Sequence, residues 1–244
     1  MRRLLLTMVA AAMVLGLGAS AAKADSINFV RARMSFGYDD FQPWNALGVN
    51  NFNVTNGSTA TSAGGLVTTT IDFGLGGPGS TLLECPGSSC TWNGNFSPQS
   101  SLLASFNENT LKGEGAITLD FSQGVSGVGF QIQGNYYGTF DAEIEAFNGA
   151  NPLGTFYAFD GNSNGNNDNS AIFLGLQDLS GANITSIQVL AYDCSGNGGG
   201  DCNGFAINRL LFETSSPTTP EPASLLLLGS GLGAVGFLRR KLFR

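Results

Sequence analysis

The pattern that most narrows what this chain can become lies at residues 139–147, where Phe140, Ala142, Ile144 and Ala146 alternate with Asp141, Glu143 and Glu145. Successive side chains leave a strand on opposite faces, so the alternation describes a strand with one buried and one wet face. Val128, Phe130 and Ile132 repeat it. Strand-like runs bounded by turn residues recur at 117–121, 125–133, 139–147, 153–159, 171–177, 184–192 and 205–212, with less decisive runs at 30–36, 52–55, 66–73 and 102–106. Between the two ends of the chain no helical periodicity reaches three turns. The expectation is an all-β domain of about ten or eleven strands, a two-sheet antiparallel sandwich of jelly-roll type rather than a small barrel. No internal repeat of constant period is visible, which disfavours a solenoid or propeller.

The ends obey different rules. Arg2 and Arg3 precede an uncharged apolar stretch, residues 4–17, and Ala22-Lys23-Ala24 follows. A short apolar core before small residues predicts a cleaved signal peptide over 1–24, with signal peptidase cutting after Ala24. At the other end Pro220-Glu221-Pro222 precedes an apolar run, 223–238, and then Arg239, Arg240, Lys241 and Arg244. A rigid turn, a hydrophobic segment and a cationic stop predict a transmembrane helix whose basic end stays cytoplasmic and whose joint faces outward. The chain therefore divides into a signal peptide (1–24), a β-sandwich domain (25–213), a Ser/Thr/Pro spacer (214–219) and a sorting segment (220–244).

Without its ends, the body carries four Lys or Arg against seventeen Asp or Glu, a net charge of −13. Such a field repels phosphate backbones and excludes nucleic acid as a partner. Divalent cations and neutral glycans remain compatible with it.

The order Pro-Glu-Pro, apolar run, basic cluster resembles the PEP-CTERM tail of exported bacterial proteins. That resemblance implies an exosortase as processing enzyme, a membrane anchor before processing, a final place at the cell surface or in extracellular matrix, and exopolysaccharide as an expected partner. Residues 204–212, Gly-Phe-Ala-Ile-Asn-Arg-Leu-Leu-Phe, resemble the closing strand of such proteins whose bodies look like carbohydrate-binding jelly rolls, where the usual run is Phe-Ala-Ile-Asp-Asp-Leu. Here Asn208 and Arg209 replace the two acids, and an arginine cannot ligate a cation.

Four cysteines stand in close pairs, and an exported chain meets an oxidising compartment, so two local disulfides are expected, Cys85–Cys90 and Cys194–Cys202. Asp160, Asn162 and Asn164, with Gly165 and Asp168 beyond, copy the opening of an EF-hand loop. The twelfth position is Ala171, so the bidentate acid is absent; a solvated turn is the first reading and a structural calcium the second. No cofactor is required. Asp141, Glu143 and Glu145 resemble the Glu-x-Asp-x-Glu strand of jelly-roll retaining β-glucanases, with the order of Asp and Glu changed, and Trp44 and Trp92 are the indoles available as sugar platforms. An acidic wet face explains the same residues. Without a histidine there is no Ser-His-Asp or Cys-His machinery. Asn53, Asn56, Asn95 and Asn183 begin Asn-x-Ser/Thr triplets and are expected on surface loops. The reading is a non-catalytic exported protein, structural or glycan-associated, with a jelly-roll glycoside hydrolase as the alternative.

Overall fold

A computed structural model describes residues 26–48, 52–84, 91–107, 112–197 and 202–214. The expected signal peptide, the sorting segment, most of the spacer and the Cys85–Cys90 pair lie outside them. The described strands in chain order are β1 (Ile27–Val30), β2 (Asp40–Gln42), β3 (Phe52–Val54), β4 (Ser58–Thr61), β5 (Thr68–Phe73), β6 (Gly79–Leu83), β7 (Ser101–Ala104), β8 (Phe106–Asn107), β9 (Lys112–Gly113), β10 (Ile117–Val125), β11 (Gly127–Gly134), β12 (Gly138–Asn148), β13 (Asn151–Ser163), β14 (Ile172–Asp178), β15 (Ile184–Tyr192), β16 (Phe205–Ile207) and β17 (Leu210–Glu213). The described helical segments are three short 3-10 turns, Arg33–Ser35, Trp44–Leu47 and Ser195–Asn197.

Two antiparallel sheets share one core. The larger runs β1-β14-β11-β16-β7-β6-β3, with β17 beside β11 and β2 beside β17; the smaller runs β13-β12-β15-β10-β5-β4. Phe130, Ile132, Leu174, Leu176, Phe205 and Ile207 of the first face Ile117, Leu119, Phe140, Ile144, Ile187 and Val189 of the second, all essentially inaccessible to solvent. The alternation along β12 is realised in full: Phe140, Ala142, Ile144 and Ala146 are buried while the acids between them are half-buried. Thr214, first residue of the expected spacer, is tied to the body, since its N–H and hydroxyl donate to the two Asp39 carboxylate oxygens at 3.0 and 2.9 Å.

Two expected strands differ in a way that matters later. The run at 30–36 ends as a strand at Val30 and turns into the Arg33–Ser35 helix. The closing run is broken at Asn208. Ile132 pairs with Ile207 and Gly129 with Leu211, so four steps on one strand oppose three on the other, the signature of a β-bulge. The extra residue resets the alternation. Phe205, Ile207, Leu210 and Phe212 all reach the inter-sheet core. In an unbroken strand Arg209 would point between the sheets and Leu210 and Phe212 away from them. Asn208 holds the bulge: its Nδ2 donates to Gln131 Oε1 at 2.8 Å, and its Oδ1 accepts the Gln131 N–H at 2.8 Å. Its own carbonyl accepts the Trp44 indole N–H at 2.8 Å.

The larger sheet is covered on its outer face. Trp92 and Phe96, in the segment before β7, pack on Leu82, Leu102, Ala104 and Ala206. Phe36 and Phe41 do the same over Phe173 and Leu211. Single-face burial cannot hold an apolar face in water, and these loops supply the missing layer.

Candidate functional site

The smaller sheet presents its outer face on the strand the sequence singles out. Asp141 lies opposite Tyr192, Glu143 lies between Leu190 and Tyr157, and Glu145 lies between Gln188 and Thr155. Residues two apart on a strand are about 6.5–7 Å from one another, within electrostatic reach. Burial, and then Glu145, push the Glu143 carboxyl above its ordinary value. Burial and then Asp193 do the same to Asp141. Tyr192 is raised by burial and then by Asp141 and Glu143. The three acids thus form one negative field with a phenol inside it.

Aromatic rings edge that field. In β13 the step from Ala158 to Gly161 opposes the step from Ala142 to Phe140, three residues against two, so a bulge sets Phe159 and Asp160 opposite Asp141. Tyr157 and Phe159 lie with ring centroids 5.9 Å apart and planes within 8°, and they are 45% and 70% exposed. Exposed parallel rings beside carboxylates can take the apolar faces of sugar rings while the acids accept hydroxyl hydrogens. The indoles expected for that task do not serve it. Trp44 is fully buried and Trp92 is 6% exposed, each a core residue whose N–H is satisfied internally. No sequence pattern marks Tyr157 and Phe159, because their run alternates poorly; only pairing with β12 shows that they share the face of the acids.

None of the three acids lines the surface cleft of about 300 Å³ on the other sheet. Each stands on an open strand face.

The EF-hand-like segment is divided between a strand and a turn. Asp160 and Asn162 belong to β13, and Asp160 pairs with Arg31 at 2.5 Å. In the turn, Asn164 Oδ1 accepts the Asn166 N–H at 2.9 Å and Asp168 Oδ1 the Ser170 N–H at 3.1 Å. The Ser170 hydroxyl first, and its N–H after, hold the Asp168 carboxyl below its ordinary value, against a smaller opposing effect of burial. The turn is fastened from outside by Asn95, whose Oδ1 accepts the Asn164 N–H at 2.6 Å and whose Nδ2 donates to Ser170 Oγ at 2.7 Å. Asn95 is therefore 1% exposed, not the surface-loop residue its Asn-x-Ser triplet suggested. Among the described residues no group of three His, Cys, Asp or Glu is placed to hold a metal ion.

Cys194 and Cys202 are joined by a disulfide, both fully buried against the end of β11. Closing so short a loop contributes about 2–3 kcal/mol. The bridge pins the loop after β15, where Ser195 Oγ accepts the Thr139 N–H at 2.8 Å and so ties that loop to β12.

Residues 218–241 match the family model described as the PEP-CTERM protein-sorting motif. The chain carries a PEP-CTERM tail. That motif marks an exported protein sorted by exosortase and anchored in the membrane before sorting. No curated protein matches the sequence. Among solved structures, the crystal structure of a DUF4465 family protein from Bacteroides caccae ATCC 43185 is similar at 12% identity and a TM-score of 0.36, over 76% of this chain and 100% of that one. Among the described residues no helix is long and apolar enough to cross a membrane; 223–238, the expected span, lies outside them.

Proposed function

We propose that the body is a non-catalytic, glycan-associated domain, delivered to the cell surface or extracellular matrix by its PEP-CTERM tail after signal peptidase removes residues 1–24. The observation that carries this reading is the open outer face of the smaller sheet, where Tyr157, Phe159 and Tyr192 flank Asp141 and Glu143, with Glu145 next along the strand. A retaining hydrolase must hold the sugar between two carboxyl groups, one protonating the leaving oxygen while the other attacks. An open strand face favours contact over cleavage. Calcium is not needed for this role.

The test is incubation of the full-length protein with mixed-linkage β-glucan, scored for reducing ends and for co-sedimentation. Expected are co-sedimentation that falls in Tyr157→Ala and Phe159→Ala, and no reducing ends from the wild type. Reducing ends lost in Glu143→Gln would replace this reading with the glycoside hydrolase.

A further inference from the structure

Between the two covers of the larger sheet lies the cleft of about 300 Å³, and two of the four cations of the acidic body meet in it, Arg33 and Arg209. Different devices bring them there. The Asn208 bulge turns Arg209 outward, and the 3-10 turn that ends β1 early carries Arg33 in from the opposite side. The Arg209 guanidinium is held over the Phe41 ring, 5.4 Å from its centroid. Burial, and then Arg209, push the Arg33 guanidinium below its ordinary value, so the two cations lie within electrostatic reach of each other.

Neither arginine has a carboxylate within ion-pairing distance among the described residues, where the one ion pair is Arg31–Asp160. In a body with seventeen acids to choose from, two neighbouring cations are thus left without a carboxylate partner. Two half-buried guanidinium groups without a counter-ion favour a ligand that brings one, and their planar forks match a carboxylate. The remaining lining is neutral. Pro43 and Pro98 offer apolar faces, while Ser97, Gln99 and Ser100 offer hydroxyl and amide groups. Apolar faces, neutral hydrogen-bonding groups and a carboxylate socket in a cleft at the small end of ligand sites together suit a sugar that carries a carboxylate.

We propose that this cleft binds a uronate unit of an acidic polysaccharide, its carboxylate between Arg33 and Arg209. The proposal rests on the glycan-associated reading and adds to it a second glycan class on a separate face. Among the described residues no acid lines the cleft, and the acids of β12 stand on the outer face of the other sheet, more than a sheet spacing of about 10 Å away. Their repulsion therefore leaves the cleft accessible to an anion.

Fluorescence polarisation of labelled oligogalacturonate against the full-length protein in detergent tests this, with dextran sulfate, inorganic phosphate and a neutral β-glucan oligosaccharide as parallel probes. Arg33→Gln and Arg209→Gln should each weaken oligogalacturonate binding about tenfold, the loss of one charge-assisted hydrogen bond, and leave the neutral probe unaffected. Melting curves identify any variant that fails to fold, and the other single variant then carries the test. Unchanged oligogalacturonate affinity in both variants would place the anion elsewhere, for instance on Arg239 to Arg244, and overturn the proposal. Equal competition by phosphate or dextran sulfate would reduce the cleft to an unselective anion patch and overturn it too. Binding of the neutral probe without oligogalacturonate would sink this proposal alone; binding of neither would also sink the glycan-associated reading.

Discussion

The two outer faces of this sandwich are built on opposite plans. The smaller sheet leaves its face open, acidic and edged with rings, and each outward side chain is its own neighbour's environment. The larger sheet buries its outer face under two loop covers and keeps a cleft between them, lined by two arginines. The difference teaches where stability and recognition reside. An open face can change its residues at little energetic cost, whereas a covered face needs its aromatic anchors to stay folded.

The largest expected effect tests that division directly. Phe96 is fully buried beneath the cover, 6.4 Å from the Trp92 ring centroid, and Phe96→Ala should cost about 3–5 kcal/mol in chemical denaturation. Phe159→Ala, on the open face, should cost less than about 1 kcal/mol. Equal losses would mean that the open face is also a core.

A second effect belongs to the covered side alone. Glu84 is fully buried at the end of β6, with Oε1 accepting the Gly94 N–H at 3.1 Å and Oε2 without a hydrogen-bond partner among the described residues. Burial, opposed by that hydrogen bond, pushes its carboxyl from 4.5 up to about 7. The folded protein therefore prefers the protonated acid. Its destabilising contribution is absent below pH 4.5, grows as pH rises through 7 and is then constant, at about 3 kcal/mol. Glu84→Gln should raise the denaturation midpoint at pH 8 and leave it nearly unchanged at pH 4. The acids of the open face should show no comparable gain on amidation.

The smallest effect lies at the seam between the faces. Arg31 on the β1 side and Asp160 on β13 are 32% and 73% exposed, and their pair joins the edges of the two sheets. Exposed pairs contribute little, so Asp160→Ala should lower stability by less than about 1 kcal/mol, measured in 0.15 M salt. A larger loss would show that the seam, and not the core, couples the two faces.

Much of the fold is legible in the residues. The run at 184–192 corresponds to β15, and the acid alternation at 139–147 to β12, because a long strand with one buried face repeats its period often enough to be read. β2, β4 and β6 are not legible in the sequence because three to five residues such as Ser58–Thr61 show too little period, and their strand state comes from neighbours. Of the candidate residues, Asp141, Glu143 and Glu145 could be placed on one face from spacing alone. Their aromatic company could not, since Tyr157 meets Glu143 only through strand pairing.

By itself the sequence determined the PEP-CTERM tail, the β class, the acidic body and the absence of histidine, all of which depend on composition or on residues near one another in the chain. Tertiary structure decided which sheet face is covered, that Trp44 and Trp92 are core residues, and that Arg33 and Arg209 share a cleft although 176 positions separate them. A single inserted residue at the Asn208 bulge reverses which side chains face solvent. That reversal is set by register against Gln131, a distant partner that no local pattern specifies.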